Sequence, residues 1–311
     1  MEHPRIRAYI NARFGDDAPR WPFEWFESWC RGRVFRRALS IGSGAGTAEV
    51  DLIRRGLCET VDAFDSSFTA LSMARNAAMR DARVGSRVRY FAADFNRIVL
   101  PRSTYDLILF HQSLHHVTRI EHLLSQVMMA LRNDGILYLD EYVGPSRTWW
   151  TPRSFRSVRR IYDALDGRFR TSRILLLPIQ PDDPSEAVRS GEILSRLRIG
   201  FRIVEQRDYG GNLLSPIYPS LAPDTPDKVI DDLIEEETKV LAHGEPSFCT
   251  VIVAEPLAEP QRSRARRIYT VRGAFHRAIP WSSIYALRRF IRRIWVALDR
   301  RVRRRPIEDY V

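Results

Sequence analysis

The sequence predicts an α/β protein with a doubly wound, mostly parallel sheet, and three observations predict this fold class. Short apolar runs alternate with longer segments of helical periodicity between residues 38 and 143. A glycine-rich loop directly follows the first of these runs. The chain has 311 residues, 44% of them apolar, which is enough to bury the core of a large domain.

The apolar runs have the length of buried strands and are separated by helical patterns. The predicted strands are 38–42, 60–65, 88–94, 105–111 and 135–143, and the predicted helices between them are 47–56, 67–83 and 119–132. Strand, helix and strand at this spacing form right-handed βαβ units, so helices are expected against the sheet. Two later runs, 201–209 and 247–256, predict further strands, with a helix over 227–242 between them.

Three other segments flank or interrupt this pattern. Residues 1–37 are aromatic-rich and predict one amphipathic helix after Pro22, which either packs on the body or covers a ligand. Residues 145–200 predict proline-interrupted helices, and with 212–246 they are expected to form cap insertions in a domain spanning 38–256. Residues 257–311 are predicted to form a basic amphipathic tail.

The net charge of +11 resides in the tail, since residues 261–311 hold 15 arginines and only three acidic residues. At 100° per residue, most apolar side chains of 281–302 lie opposite most arginines. Such a helix over 281–305 suits an anionic membrane surface, although docking on the body or on a partner fits equally well. The nearly neutral body argues against a nucleic-acid partner.

Cysteine use and the N-terminal segment bear on location. Cys30, Cys58 and Cys249 are widely spaced, without a Cys-x-x-Cys pair, which favours a reducing compartment over a disulfide framework. The first residues lack the apolar segment of a signal peptide, and no apolar run approaches a membrane span. We expect a cytoplasmic protein, with peripheral attachment to the inner membrane face as the extension that the tail suggests.

The loop Gly42-Ser43-Gly44-Ala45-Gly46 joins the first strand to the first helix of the sheet region. Glycines there permit positive φ and close approach of a ligand to the backbone. Thr47 stands where a dinucleotide loop has its third glycine, and the absence of Gly-Lys-Ser/Thr excludes a P-loop. The alternative is a tight turn that binds no ligand.

Acidic residues end the next two strands. Asp65 lies about 20 residues beyond the loop, where an acid can bind ribose hydroxyls. Asp94, followed by Phe95, ends the third strand, where a carboxylate and an aromatic ring can hold an adenine. Because ligands bind at the carboxyl ends of strands in open α/β sheets, these groups are expected to share a site.

The order of these motifs resembles the class I S-adenosylmethionine-dependent methyltransferases. The segments that carry the resemblance are IGSGAG (41–46), FD (64–65), AADFN (92–96), YDLILFHQSLHHV (105–117) and LRNDGILYLDEYVG (131–144). The resemblance implies a seven-stranded sheet with its last strand antiparallel, and S-adenosylmethionine as the cofactor. One position departs from the family pattern: Ser40 stands where an acidic residue is common.

The resemblance also implies a set of cofactor-binding residues. It places the methionine portion at the glycine loop, the ribose at Asp65, the adenine at Asp94 and the sulfonium beside the end of the fourth strand. The full set is Gly42, Ser43, Gly44, Gly46, Asp65, Ser66, Asp94, Phe95, Phe110 and His111.

Methyl transfer to a hydroxyl needs a positioned acceptor and a base, and a neutral histidine suits that proton transfer. The candidate catalytic residues are His111, His115, His116 and Glu141, and the candidate substrate-binding residues are Tyr142, Arg147, Trp149 and Trp150. The alternatives are that His115 and His116 cap the next helix, that His111 contacts the cofactor, and that the tryptophans only pack. His111 and His115 lack an evident third ligand, so no metal is predicted.

The predicted function is therefore methyl transfer to a small-molecule, glycan or lipid-linked acceptor, with oxygen as the acceptor atom. One alternative is an inactive Rossmann-like binding module recruited to a membrane or partner by its tail. Another is a nucleic-acid methyltransferase. Against the latter, no Asn/Asp-Pro-Pro-aromatic segment follows the fourth strand.

Overall fold

The computed structural model describes residues 3–15, 18–146, 152–173, 175, 183 and 185–278. Its strands are β1 (Phe35–Ile41), β2 (Cys58–Asp65), β3 (Val88–Ala92), β4 (Tyr105–His111), β5 (Leu131–Tyr142), β6 (Phe201–Gly210) and β7 (Cys249–Pro256). Its helices are α1 (Pro4–Asn11), α2 (Pro22–Cys30), α3 (Thr47–Arg54), α4 (Phe68–Met79), α5 (Ile120–Ala130), α6 (Pro152–Ala164), α7 (Ile193–Gly200), α8 (Leu214–Ile217), α9 (Asp227–Ala242) and α10 (Gln261–Ala278).

The seven strands form one sheet in the order β3-β2-β1-β4-β5-β7-β6. The first five strands pair in parallel, and β7 runs antiparallel to both of its neighbours, β5 and β6. This arrangement confirms the predicted fold class, including the antiparallel last strand. The strand order reverses beside β1, so the carboxyl ends of β1 and β4 border the crevice where such sheets bind ligands.

Each face of the sheet is covered by its own helices. On one face, Phe26 of α2, Leu52 of α3 and Leu71 of α4 pack against strand residues. On the other face, Leu123 of α5, Leu197 of α7 and Tyr269 of α10 form a second core. The sheet is therefore buried on both sides, which explains why its central strands are continuous apolar runs.

A third cluster of apolar residues lies outside the sheet layers. It joins α1, α6, α8 and α9, and its buried members include Ile6, Val158, Leu214 and Leu233. The insertions thus form a helical cap, to which α1 also contributes. Local sequence fixes where helices begin: α2 starts at Pro22, where the Glu24 carboxylate accepts the Trp21 N–H at 2.9 Å.

The basic C-terminal segment divides in two. Residues 261–278 form α10, which packs on α5 and α7 rather than standing apart from the body. The predicted membrane-binding helix, 281–305, lies outside the described residues. Among the helices within the described ranges, none is both long and apolar enough to cross a membrane.

Arg189 connects the segment before α7, residues 185–192, to the second core. Its side chain is fully buried, and its guanidinium donates to both carboxylate oxygens of Glu121 at 2.7 and 2.8 Å. It also donates to Glu192 at 2.8 and 3.0 Å, and its terminal nitrogen lies 3.2 Å from Nε2 of His276 in α10. One guanidinium therefore connects α5, the segment before α7, and the last turns of α10.

Candidate active site

The glycine loop at the end of β1 is shaped by positive φ angles. Gly42, Gly44 and Gly46 have φ of 80°, 52° and 84°. A Cβ at Gly42 would lie 2.3 Å from Cβ of Ser113, and one at Gly46 would lie 2.7 Å from the hydroxyl of Tyr90. Gly44 has nothing within 4 Å of that position. Two of the glycines thus make room for the protein's own side chains, while Gly44 leaves its backbone open to a ligand.

Asp65 ends β2, but β3 ends at Ala92, two residues before Asp94, so the predicted strand end at Asp94 is wrong. Because β2 and β3 are parallel, the two aspartates still follow strands that end on the same side of the sheet. The Asp65 carboxylate accepts the backbone N–H groups of Gly44 and Ser67, each at 2.8 Å, which ties the end of β2 to the loop. Asp94 is exposed, and its carboxylate accepts the N–H of Asn96 at 2.9 Å. Ser66 is exposed beside Asp65, and Phe95 is half-buried against the second core.

Unpartnered polar groups lie under the loop. Glu49, in the first turn of α3, is fully buried, and neither carboxylate oxygen makes a hydrogen bond. Burial raises the pKa of Glu49 to about 7, and the nearby Ser40 hydroxyl opposes that rise. The side-chain hydroxyls of Ser43 and Tyr90 are likewise buried without a hydrogen-bond partner. Buried polar groups in this state mark a place where a further polar partner is expected.

A cavity of about 480 Å³ opens between α2 and the loop. Its lining includes Trp21 and Phe23 at the start of α2, Gly46 of the loop, Thr47 at the start of α3, and His111 from the end of β4. The Phe23 ring stacks on His111 with centroids 5.8 Å apart, and on Tyr138 at 5.2 Å. Helix α2 therefore forms a wall of the cavity as well as packing on the sheet.

His111 belongs to a polar network across three strands. Its Nε2 lies 3.6 Å from the carboxylate of Asp140 on β5. That carboxylate accepts the Tyr209 hydroxyl at 2.6 Å and the side-chain amide of Gln112 at 3.1 Å. Burial raises the pKa of Asp140, and its contacts with His111, Tyr209 and Gln112 oppose that rise. The network holds the His111 side chain at the cavity.

The family model described as a methyltransferase domain matches residues 39–139, which run from β1 through most of β5. This chain carries a methyltransferase domain. The match confirms the family predicted from the motif order, and with it S-adenosylmethionine as the cofactor. No curated protein matches the sequence of this methyltransferase.

Solved structures with a similar fold include several methyltransferases. An S-adenosylmethionine-dependent methyltransferase from Mesorhizobium loti is 16% identical, with 75% of this chain and 97% of that chain covered and a TM-score of 0.42. Another, from Methanosarcina mazei, is 16% identical, with 77% and 99% covered and a TM-score of 0.46. A geranyl diphosphate methyltransferase in complex with GPP and sinefungin is 13% identical, with 75% and 76% covered and a TM-score of 0.49.

The residues of the methyltransferase fit its cofactor at three places. Gly44 leaves the backbone approachable, the Asp65 carboxylate is ready for ribose hydroxyls, and the orphaned Glu49 carboxylate offers a counter-charge for an ammonium group. Glu49 lies close to Ser40, the position where the family commonly has its acid. The methyltransferase thus carries a buried acid here on α3 instead of β1.

The two other candidate histidines of the methyltransferase lie in the short 3-10 helix Leu114–His116, away from the cavity lining. His115 is buried, and its Nδ1 lies 2.8 Å from Glu141. Although burial opposes its charge, Glu141 and Glu186 raise the pKa of His115. His116 is half-buried, with Nδ1 3.0 Å from Ser185, and burial and the charge of His115 lower its pKa.

Glu141 is fully buried, and its carboxylate makes contacts within the protein. One of its oxygens accepts the backbone N–H groups of Ser113 and Leu114, and the other faces His115. Such a carboxylate positions the 3-10 helix and the His115 ring. Both of its oxygens already accept hydrogen bonds, and the side chain is out of contact with solvent.

The remaining predicted residues are dispersed. Phe110 is fully buried in the second core, on the sheet face opposite Phe23. Tyr142 is half-buried, and its hydroxyl donates to the carbonyl of Pro145 at 3.3 Å. Arg147, Trp149 and Trp150 lie outside the described residues.

Sequence patterns did not single out Glu49, Asp140 or Glu186. Glu49 had a detectable signal: it lies three and four residues before Leu52 and Ile53, on the apolar face of α3. Asp140 stands in an apolar run, which is also unusual. Glu186 gives no such signal, because only the tertiary fold brings it to the histidines.

Removal of the Glu49 charge is expected to weaken binding of S-adenosylhomocysteine, the product form of the cofactor. It is also expected to reduce the pH dependence of that binding. In Glu49→Gln the Kd should rise about 10–100-fold at pH 8, the value of a hydrogen bond to a charged group. In wild type, Glu49 ionises as the pH rises through about 7. An ammonium ligand favours the ionised form, so affinity should increase about tenfold from pH 6 to pH 8.

Calorimetric titration at several pH values measures both effects. Glu59→Gln is the matched control, because Glu59 is exposed on β2. The control should keep the wild-type Kd and pH dependence. A Glu49→Gln variant with wild-type affinity at both pH values would show that this carboxylate does not hold the cofactor.

Proposed function

We propose that this methyltransferase methylates a hydroxyl oxygen of a small-molecule acceptor, with glycans and lipid-linked precursors included in that class. S-adenosylmethionine supplies an activated methyl group when bound. The protein then has to orient the acceptor and take its proton. The observation that carries the proposal is the position of His111, which lines the cavity beside the glycine loop and has Asp140 behind it.

His111 is the histidine placed for this proton transfer among the three candidates, since His115 and His116 do not line the cavity. Nε2 of His111 lies 3.6 Å from the Asp140 carboxylate, close enough for that negative charge to stabilise a protonated ring. Bound S-adenosylmethionine would supply the methyl group to the acceptor oxygen, and the His111 imidazole would take the proton that the hydroxyl loses. Asp140 then stabilises the positive ring, as a carboxylate does behind a catalytic histidine.

The cavity wall also supports an acceptor with a flat or ring-shaped part. Trp21 and Phe23 offer aromatic faces next to His111, and such faces pack well against sugar or aromatic rings. The 15 arginines of residues 261–311 support an anionic surface as a partner, which a lipid-linked acceptor would share.

The acceptor class is tested with S-adenosylmethionine carrying a labelled methyl group. The full chain is incubated separately with phenols, free sugars, lipid-linked sugars, primary amines and an oligonucleotide pool. We expect label on hydroxyl acceptors only, and none on matched deoxy analogues. Asp65→Ala, which removes the ribose-binding carboxylate, gives the background. Transfer to amines or oligonucleotides, with hydroxyl compounds unlabelled, would overturn the proposal.

A further inference from the structure

We propose that His115, His116 and Glu186 form a binding site for a divalent transition metal such as Zn²⁺. Nε2 of His115 lies 3.8 Å from Oε2 of Glu186, and Nε2 of His116 lies 3.7 Å from the same oxygen. All three ligand atoms lie within 4.8 Å of one another. Two histidines and one carboxylate are a common ligand set for zinc and related metals.

Hydrogen bonds on the far side of each ring direct the two Nε2 atoms inward. Nδ1 of His115 donates to Glu141, whose carboxylate has no hydrogen to give. The Ser185 hydroxyl donates to Asp183 at 2.5 Å, so it accepts from Nδ1 of His116 at 3.0 Å. Each neutral ring therefore carries its hydrogen on Nδ1 and its lone pair on Nε2. Metal-binding histidines are held in this way by carboxylates and other acceptors.

When both rings are neutral, three acceptor atoms thus converge without a hydrogen between them. The separations of 3.7 and 3.8 Å are too long for hydrogen bonds, and lone pairs of two rings face a carboxylate oxygen. A cation at the centre satisfies all three. Tetrahedral zinc with ligands at about 2.0–2.1 Å places ligand atoms about 3.3–3.4 Å apart. Each histidine nitrogen needs to approach Oε2 of Glu186 by only about half an ångström to reach that separation, and the two nitrogens lie within 4.8 Å of each other.

The surroundings suit an accessible metal rather than a sealed one. The side chain of His115 is 7% exposed, while those of His116 and Glu186 are 31% and 24% exposed. The backbone N–H of Val188 donates to the carbonyl of His115 at 3.1 Å, which fastens the Glu186 segment to the 3-10 helix. Three protein ligands with a solvent-facing side leave a fourth position for water or for an oxygen of a ligand.

A second group of possible ligands serves as a contrast. Within the described ranges, Glu121, Glu192 and His276 also have converging atoms. Arg189 and Arg196 already lie on those carboxylates at 2.6–2.9 Å, so positive charge fills that place. No cationic side chain pairs with Glu186 in this way among the described contacts, where its partners are the two histidines.

Metal titration of the full chain tests the site without any substrate. Purified protein is stripped with EDTA, dialysed and titrated with ZnCl₂ against a chromophoric chelator, and with CoCl₂ by visible absorption. Wild type is expected to bind one equivalent of zinc and to show cobalt d–d bands. The double variant His116→Gln/Glu186→Gln should lose at least about 100-fold in zinc affinity and lose the cobalt bands, since two of three ligands are gone.

The matched control is His243→Gln/Glu245→Gln, which removes the same residue types from an exposed turn. It should bind metal as wild type does. S-adenosylhomocysteine binding and the thermal unfolding midpoint verify that both double variants are folded. Equal zinc affinity in wild type and His116→Gln/Glu186→Gln, or no stoichiometric zinc in wild type, would overturn the proposal. The titration involves no methyl acceptor, so failure of the proposed acceptor class leaves its outcome unchanged.

Discussion

Replacement of His111 by alanine is expected to lower kcat for methyl transfer by about 10²–10⁴, the usual contribution of a general base. His111 lines the cavity and has Asp140 behind it, so its removal takes away the proposed proton acceptor. The Kd for S-adenosylhomocysteine should change by less than about threefold, because the predicted cofactor-binding residues of the glycine loop and Asp65 are unaltered. Single-turnover rates with a labelled methyl donor, alongside calorimetry, separate the two quantities.

Added imidazole distinguishes catalysis from simple contact. The alanine variant leaves a gap beside Phe23, and imidazole in solution should restore part of the lost rate. The matched control, His243→Ala, lies on an exposed turn and should keep the wild-type kcat. A variant with weakened cofactor binding, an unchanged kcat at saturation and no response to imidazole would assign His111 to cofactor contact alone.

Replacement of Arg189 by methionine is expected to lower the free energy of unfolding by about 3–5 kcal/mol. The guanidinium is fully buried and provides both hydrogen bonds to the oxygens of Glu121, which is itself buried. Burial opposes the charge of Glu192, but Arg189 and Arg196 lower the pKa of that carboxyl to about 2. Loss of Arg189 leaves the two acidic groups with only Arg196 and the more distant His276 ring as cationic partners among the described contacts. Urea denaturation followed by circular dichroism measures the effect.

Two further variants serve as comparisons: one breaks an exposed ion pair, and the other removes both partners of the buried pair. Arg54→Met breaks the exposed ion pair with Asp81 and should cost less than about 1 kcal/mol. The double variant Arg189→Met/Glu121→Leu removes the uncompensated charge as well, and should recover part of the lost stability. If Arg189→Met lowers the free energy of unfolding no more than Arg54→Met does, the buried ion pair does not hold residues 185–192 in place.

The sheet was predictable because its signals are local. Residues 105–111 and 201–209 were predicted as strands, and β4 and β6 match them within one residue. β1 begins at Phe35, three residues before the predicted start, because the backbone N–H groups of Arg36 and Arg37 bond to the Asp106 carboxylate. That bond comes from a residue about 70 positions away, which local periodicity does not register.

The site was predictable only in the part that the motif order carries. Gly44 and Asp65 follow strands directly, so their common edge follows from the parallel sheet. Asp140 and Glu186 reach their histidines through β5 and through the cap insertion. Such pairs form between segments distant in the chain, and charged residues in a loop or a strand give no sign of their partner. Charge pairing across the fold was thus the missing information.

Helix α10 runs from the amino ends of the parallel strands to their carboxyl ends. Near its start, Arg262 lies 3.3 Å from Asn133 at the beginning of β5, and near its end His276 lies 3.6 Å from Glu121, beyond the carboxyl end of β4. At about 1.5 Å per residue, its 18 residues span about 27 Å. The last turn of α10 therefore lies at the carboxyl ends of the parallel strands, the side of the sheet where the glycine loop and His111 also lie. The docked helix fixes residue 278, the last one that the structure describes, relative to that side of the sheet.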